Sequence, residues 1–341
     1  MRLLRRITNS LATAALAAAL PFAAAAQSAL PPQNPAQPLA AANAALQAGE
    51  ADQALSLLSN LPSSGPGLAM GHNLICRVRY TLEQWDSAAA ECEKAAQIDP
   101  ENSDFHLWLG RALGEKASRA SFITAFSLAK RTRAEFEESV RLDPRNADAL
   151  ADLGDFYRQA PGVVGGGIDK AETIAAQLDK IDPVRAHKLH GQIAEQQKDF
   201  PGAEDEYRKT ITAGAHPAIG WATLASFYLR RQRFEEMESA VASILSTAFH
   251  DKHPGSALYD GAGLLIETNR NPALAATMLE GYLAGPSKTE EAPAFIAHIR
   301  LARLKQQLGD QPAAKRERDA ALALAHEYKP AQESLPQSAT R

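Results

Sequence analysis

The chain lacks a charge excess, runs of β-branched residues and any catalytic motif, and each absence removes a class of fold or function. Lys and Arg number 36 against 40 Asp and Glu, a formal charge of -4, so there is no electrostatic footprint for nucleic acid. Hydrophobic residues make up 45% of the chain, enough for a continuous core. They are dominated by alanine and leucine, which reads as all-helical. No G-x-S-x-G or H-E-x-x-H constellation occurs, and no serine or carboxylate pair stands out from the helical faces. The expectation is a protein that is not an enzyme and uses no cofactor. Cysteine is nearly absent, with two residues in 341.

What is present begins with an N-terminal segment of different character. Arg2, Arg5 and Arg6 precede an apolar run from Leu11 to Ala26, and Ala24-Ala25-Ala26 supplies the small residues that a signal peptidase accepts. Residues 1–26 are predicted to be a signal peptide cleaved after Ala26. The run is interrupted by Pro21 and is too short to span comfortably, so no membrane insertion is expected after cleavage. Cleavage removes three arginines and no acids, leaving 33 basic against 40 acidic residues and a charge of -7. No cysteine stands directly after the cleavage site, where Gln27 lies, which argues against a lipid anchor. The expected location is a bacterial periplasm or the exterior. Residues 27–35 hold three prolines and are expected to be a disordered linker, and residues 331–341 a disordered tail.

Between these ends the chain is organised around Ala134 to Tyr157, AEFEESVRLDPRNADALADLGDFY. Asp143-Pro144 stops one helix, because the ring disfavours helical geometry in the preceding residue and carries no N–H. Asn146 and Asp148 offer oxygens to the exposed N–H groups of the next helix. There Leu150, Leu153, Gly154 and Tyr157 share one face. The unit recurs: Pro100, Pro144, Pro183 and Pro217 are separated by 44, 39 and 34 residues. Trp221, Leu224, Ala225 and Tyr228 repeat the first-helix pattern, while Ala88 with Cys92, Ala203 with Tyr207, and Ala275 with Leu279 hold small and large positions of a second helix.

These residues resemble the W-x2-L-G-x2-Y, A-x3-F and P signature of tetratricopeptide repeat (TPR) proteins. The resemblance covers residues 36–330 and implies an all-α, right-handed superhelical solenoid of about eight helical hairpins. The first and last units are the most degenerate or polar, as capping repeats are. Exported bacterial TPR proteins with insertions in two adjacent repeats are similar, which implies no particular activity. The resemblance implies a protein or peptide partner. It also maps Asn73, Arg77, Arg111, Asp155, Arg158, Lys188 and Gln192 to the concave face, where arginine suits carboxylates. The Lys/Asn clamp that chaperone-binding TPR domains use for a C-terminal carboxylate is not matched.

Two departures from the repeat carry further expectations. Ten extra residues fall around Glu115 to Arg131 and five more in Ala160 to Gly167, each between the helices of a hairpin. Both should emerge side by side on one edge. The first insertion is either a longer helical pair, with Phe122, Ile123 and Phe126 packed and Lys116, Arg119, Lys130, Arg131 and Arg133 solvated, or a basic, aromatic lip for an acidic partner. Gly165-Gly166-Gly167 either folds as a tight turn or cradles an anion, although no G-K-[ST] ending or preceding strand is present.

The alternative function, small-ligand binding or an enzymatic accessory role, rests on that loop or on histidines. His187 with His190, and His250 with His253, have spacings that could begin a metal site. The first two occupy slots of the repeat's tryptophan and leucine, so packing is expected and no metal. Cys76 and Cys92 face each other across one helix pair, either as a disulfide of an oxidising compartment or as two buried thiols. The sequence leaves the oligomeric state open.

Overall fold

The computed structural model describes residues 36–61, 64–248, 250–251 and 254–333. The predicted signal peptide and linker lie outside the described residues. Among the described residues, seventeen helices follow one another: α1 (Ala36–Ala48), α2 (Ala51–Leu57), α3 (Pro66–Thr81), α4 (Trp85–Ile98), α5 (Ser103–Arg119), α6 (Phe122–Leu142), α7 (Ala147–Gln159), α8 (Ile168–Leu178), α9 (Pro183–Gln196), α10 (Phe200–Ala213), α11 (Pro217–Arg230), α12 (Phe234–Ala248), α13 (Ala257–Glu267), α14 (Pro272–Ala284), α15 (Ala294–Gln307), α16 (Gln311–Leu324) and α17 (Lys329–Glu333). Consecutive pairs from α1–α2 to α15–α16 make eight hairpins. Among the described residues the extended structure is one isolated bridge, Thr289 to Ala292.

Local chemistry accounts for the boundaries. Asn102, Asn146, Asp182, Asp199, Asn271 and Asp310 each accept a hydrogen bond from an N–H of the following helix, the cap that an Asx side chain provides. Six hairpins turn in one way. In each, a residue of positive φ (Gly49, Glu83, Lys198, Gln232, Asn269 or Gly309) follows the first helix, and in α13–α14 the cap Asn271 is a second. The next N–H then reaches back five residues: Glu50 to Ala45, Gln84 to Arg79, Asp199 to Ala194, Arg233 to Tyr228, Arg270 to Leu265 and Asp310 to Lys305, all at 2.8–2.9 Å. This is the Schellman closure of a helix C-terminus. The two remaining hairpins, α5–α6 and α7–α8, carry the insertions and turn differently.

The helix pairs are cross-tied. Cys76 of α3 and Cys92 of α4, both fully buried, are joined in a disulfide with Cα atoms 5.2 Å apart, a link worth roughly 3 kcal/mol for so short a loop. Four histidines make a second kind of tie at the repeat position of Trp221. Nδ1 of His72, His106, His187 and His298 lies 2.7, 2.7, 2.8 and 2.7 Å from Oε2 of Glu91, Glu135, Glu206 and Glu317. Three pairs are 19 residues apart and the insertion-bearing pair 29. Opposite Trp221, at the same offset, stands Ala240, and opposite Leu258 stands Thr277. In these two hairpins, where the histidine is absent, the position at that offset carries no carboxylate. The packing role expected for His187 is corrected: its ring is half-buried and hydrogen-bonded, and Leu189, Gly191 and Ile193 fill the core beside it.

The array ends by meeting its own beginning. Ala42, Leu46, Leu58, Leu74 and Val78 share one apolar cluster with Phe295, Ile299, Tyr328 and Ala331. A bidentate ion pair crosses the seam, from Arg77 Nε and Nη2 to Glu290 Oε2 and Oε1 at 2.9 and 2.6 Å. Gln47 also donates to Glu290, Arg79 to Glu327 and Tyr328 to Glu83. Gly49 lies so close to α15 that a Cβ there would stand 2.3 Å from the Ala294 nitrogen. The terminal units expected to be polar caps are instead partners in one core, and the solenoid is a closed array. The boundary at residue 330 shifts for the same reason: Lys329–Glu333 is helical and Ala331 is fully buried. Residues 334–341 of the expected tail lie outside the described residues.

These contacts are open to measurement. Lys198 is exposed and has φ 66°, so Lys198→Gly should relieve backbone strain and raise stability by about 1 kcal/mol in urea denaturation. Glu290→Ala leaves the largely buried Arg77 guanidinium without its carboxylate and should cost about 3 kcal/mol, read as a lower denaturation midpoint. The Glu135 carboxylate holds His106 above the usual imidazole range, with burial opposing. A raised folded pKa stabilises fully below the unfolded value near 6.5 and is lost as pH climbs through the folded value. Melting temperature should therefore fall as pH rises from about 6 to 8, and His106→Gln should flatten that slope, a difference of about 1 kcal/mol.

Candidate interaction surfaces

The first helices of successive hairpins face the interior of the closed array, and their exposed positions line two neighbouring cavities. The smaller, about 180 Å³, lies between α3, α5 and the turn holding Glu290 and Glu291. Asn73, Arg77 and Arg111 converge here around Trp108, but not as the outward-facing ligands the resemblance implied. Asn73 is only 2% exposed. Arg77 is held by Glu290 and stacks 5.2 Å from the Trp108 ring centre, and Arg111 lies 4.6 Å from it. Arg111 Nε donates to Asp152 at 2.5 Å. These groups bind the array to itself. Asp155 and Arg158 pair with each other at 2.6 Å, and Arg158 continues to Gln196 in the next hairpin.

The larger cavity, about 840 Å³, is where Lys188 and Gln192 emerge. They are joined by Thr223 and Ser226 of α11, Tyr259 and Asp260 of α13, and Arg300 and Arg303 of α15. This second group was not anticipated from the sequence. Ser226 and Arg303 hold Gln192's place in their own repeats, but the positive-φ turn residues Gln232, Asn269 and Gly309 show the later repeats longer than 34 residues, which hides the register. Gly263 occupies the same place in α13, and its missing side chain admits Arg300, whose guanidinium lies 4.0 Å from the Tyr259 ring centre. Burial raises the Asp260 carboxyl above its usual range, while a Ser256 hydrogen bond and the charges of Lys188 and Arg300 oppose it. Burial also pushes the Tyr259 hydroxyl up to about 12. Among the described residues, Lys188, Arg300 and Arg303 make no ion pair with a carboxylate in this cavity. Three cations thus face a polar space.

The two insertions do adjoin. Arg133 of α6 packs on Gly165 so closely that a Cβ there would strike its guanidinium, and Tyr157 of α7 donates to Glu137 of α6 at 2.8 Å. The tip differs from both sequence alternatives. Phe122 is 87% and Ile123 82% exposed, so neither is packed. The cations are solvated as expected, but each is also paired at the surface: Arg119 with Glu115, Lys116 with Asp86, Arg131 with Glu93, and Arg133 with Glu137. Lys130 sits 4.4 Å from the centre of the Phe126 ring. The tip is an apolar knob among neutralised charges, and the basic lip is not formed.

The glycine loop folds as a tight turn. The N–H groups of Gly165, Gly166 and Gly167 are spent on the carbonyls of Gly162, Pro161 and Tyr157, which leaves none of the three for an anion. His190 approaches Asp179 at 3.3 Å, and with His187 lines an open groove of acidic residues. His250 is described and exposed, and His253 lies outside the described residues. Among the described residues no group of three or more His, Cys, Asp or Glu is arranged to hold a metal ion, and no helix is long and apolar enough to cross a membrane.

No protein-family model matches the chain. Over 124 residues it is 28% identical to Superkiller complex protein 3 of Mus musculus, covering 35% of this chain and 7% of that protein. The chain thus spans a small fraction of that relative's length. Among solved structures it is similar to TTC0263, a thermophilic TPR protein in Thermus thermophilus, with 18% identity and a TM-score of 0.43 over 58% of this chain and 99% of the other. The match to PilF of Pseudomonas aeruginosa has 14% identity and a TM-score of 0.38 over 79% and 98%. That to the apo quorum sensor NprR of B. thuringiensis has 11% identity and 0.43 over 85% and 87%. By its own eight tandem hairpins, with small and large residues at matching positions of each helix pair, the chain has a TPR-like helical-repeat fold.

Proposed function

We propose that the protein is an exported, non-enzymatic scaffold that holds a peptide segment or partner protein in the interior of its closed array. The observation that carries this reading is the set of cations outside any close ion pair, Lys188, Arg300 and Arg303, which outnumber the carboxylates Asp260 and Glu267 on the wall of the 840 Å³ cavity. They stand beside hydroxyls and amides that suit a peptide backbone, from Thr223, Ser226, Tyr259 and Gln192. Such a wall favours an extended segment bearing carboxylates, because an arginine already braced on Tyr259 loses little freedom on pairing. Export to a periplasm or the exterior is supported by the N-terminal arginines, apolar run and Ala24-Ala25-Ala26, and by the Cys76–Cys92 bond, which belongs to oxidising compartments.

The test is capture of exported proteins on the immobilised chain, comparing wild type with Lys188→Glu/Arg300→Glu. A true interior partner should be recovered at least about tenfold less well by the double variant, since two attractive contacts become repulsive. Equal recovery by both proteins, at unchanged melting temperature, removes the cavity from the reading.

A further inference from the structure

Among the described residues, the three large hydrophobic side chains most open to water, Phe122 (87%), Ile123 (82%) and Val163 (74%), all lie on the two insertions; the next, Leu308, is at 46%. Beside them runs a groove of about 670 Å³. Gly110, Gly114 and Ser118 of α5 form one wall, Ala125 and Ala129 of α6 another, and Val164 the end. Phe136 of the same chain already covers Gly110, so the open small positions are Gly114, Ser118, Ala125 and Ala129, facing Asp152, Asp155 and Phe156 of α7. Thr132 lines the same groove, is 3% exposed, and its hydroxyl has no hydrogen-bond partner.

We propose that this edge receives a second copy of the chain, with the Phe122–Ile123 tip of each copy seated in the groove of the other. Knob and groove adjoin along the insertion edge, so a two-fold axis uses both twice and closes the contact. Charge agrees with a like partner. Arg111, Lys116, Arg119, Arg131, Arg133 and Arg158 each face a carboxylate of the same chain, and Lys130 lies on the Phe126 ring, so like-charge repulsion between two copies is small here. Covering the three exposed side chains and the groove walls on both copies removes on the order of 1,200 Å², the lower end for a specific interface. The proposal does not rest on the interior site.

Sedimentation equilibrium tests it, with circular dichroism and melting temperature as folding controls. The wild-type mass should rise from that of the monomer toward twice that value through the micromolar range. Phe122→Asp/Ile123→Asp removes the knob, and Ser118→Trp fills the groove. All three positions are exposed, so both variants should keep the fold and associate at least about tenfold more weakly. A wild type that stays monomeric throughout, or a dimer that either folded variant retains, overturns the proposal.

Discussion

A helical hairpin of this size cannot bury both of its faces, so each one here depends on a neighbour to cover the side it leaves bare. In an open solenoid that dependence ends at polar caps. In this chain the last pair covers the first: Phe295 and Tyr328 pack against the cluster of Leu46, Leu74 and Val78. The Arg77–Glu290 pair closes over them, with both side chains largely out of water. A seam of this composition combines apolar area, which supplies the free energy, with a forked ion pair, which fixes the register.

Much of the array is legible from residue order because helix pairing is local. The proline stops, the Leu150, Leu153, Gly154 and Tyr157 face and the facing cysteines concern residues less than one repeat apart, and they emerge in the structure as helices, a shared face and a disulfide. The closure was not legible. Arg77 and Glu290 are 213 positions apart, and a contact between two distant, degenerate units leaves no periodic trace. The turns were hidden for another reason. Glu83, Lys198 and Gln232 take the left-handed conformation that sequence reasoning assigns to glycine, because the surrounding helices fix the geometry and absorb its cost.

The candidate site divides along the same line. The family resemblance mapped Asn73, Arg77, Arg111, Lys188 and Gln192 to the inner face, but a repeat signature cannot say which charges are already satisfied. Glu290, Asp152 and the Trp108 ring consume Arg77 and Arg111, and Lys188 remains open with Arg300 and Arg303. The insertion tip errs in the opposite direction. Its cations are conspicuous in sequence and paired in space, while Phe122 and Ile123, expected to pack, face water.

Joining head to tail also alters how such a molecule comes apart. A linear stack sheds its outermost units first, each release breaking a single contact plane and leaving the remainder intact. A hoop has no outermost unit: lifting any one pair out breaks two planes at once. Local loosening is thereby suppressed around the whole circumference, and loss of structure becomes a single concerted event.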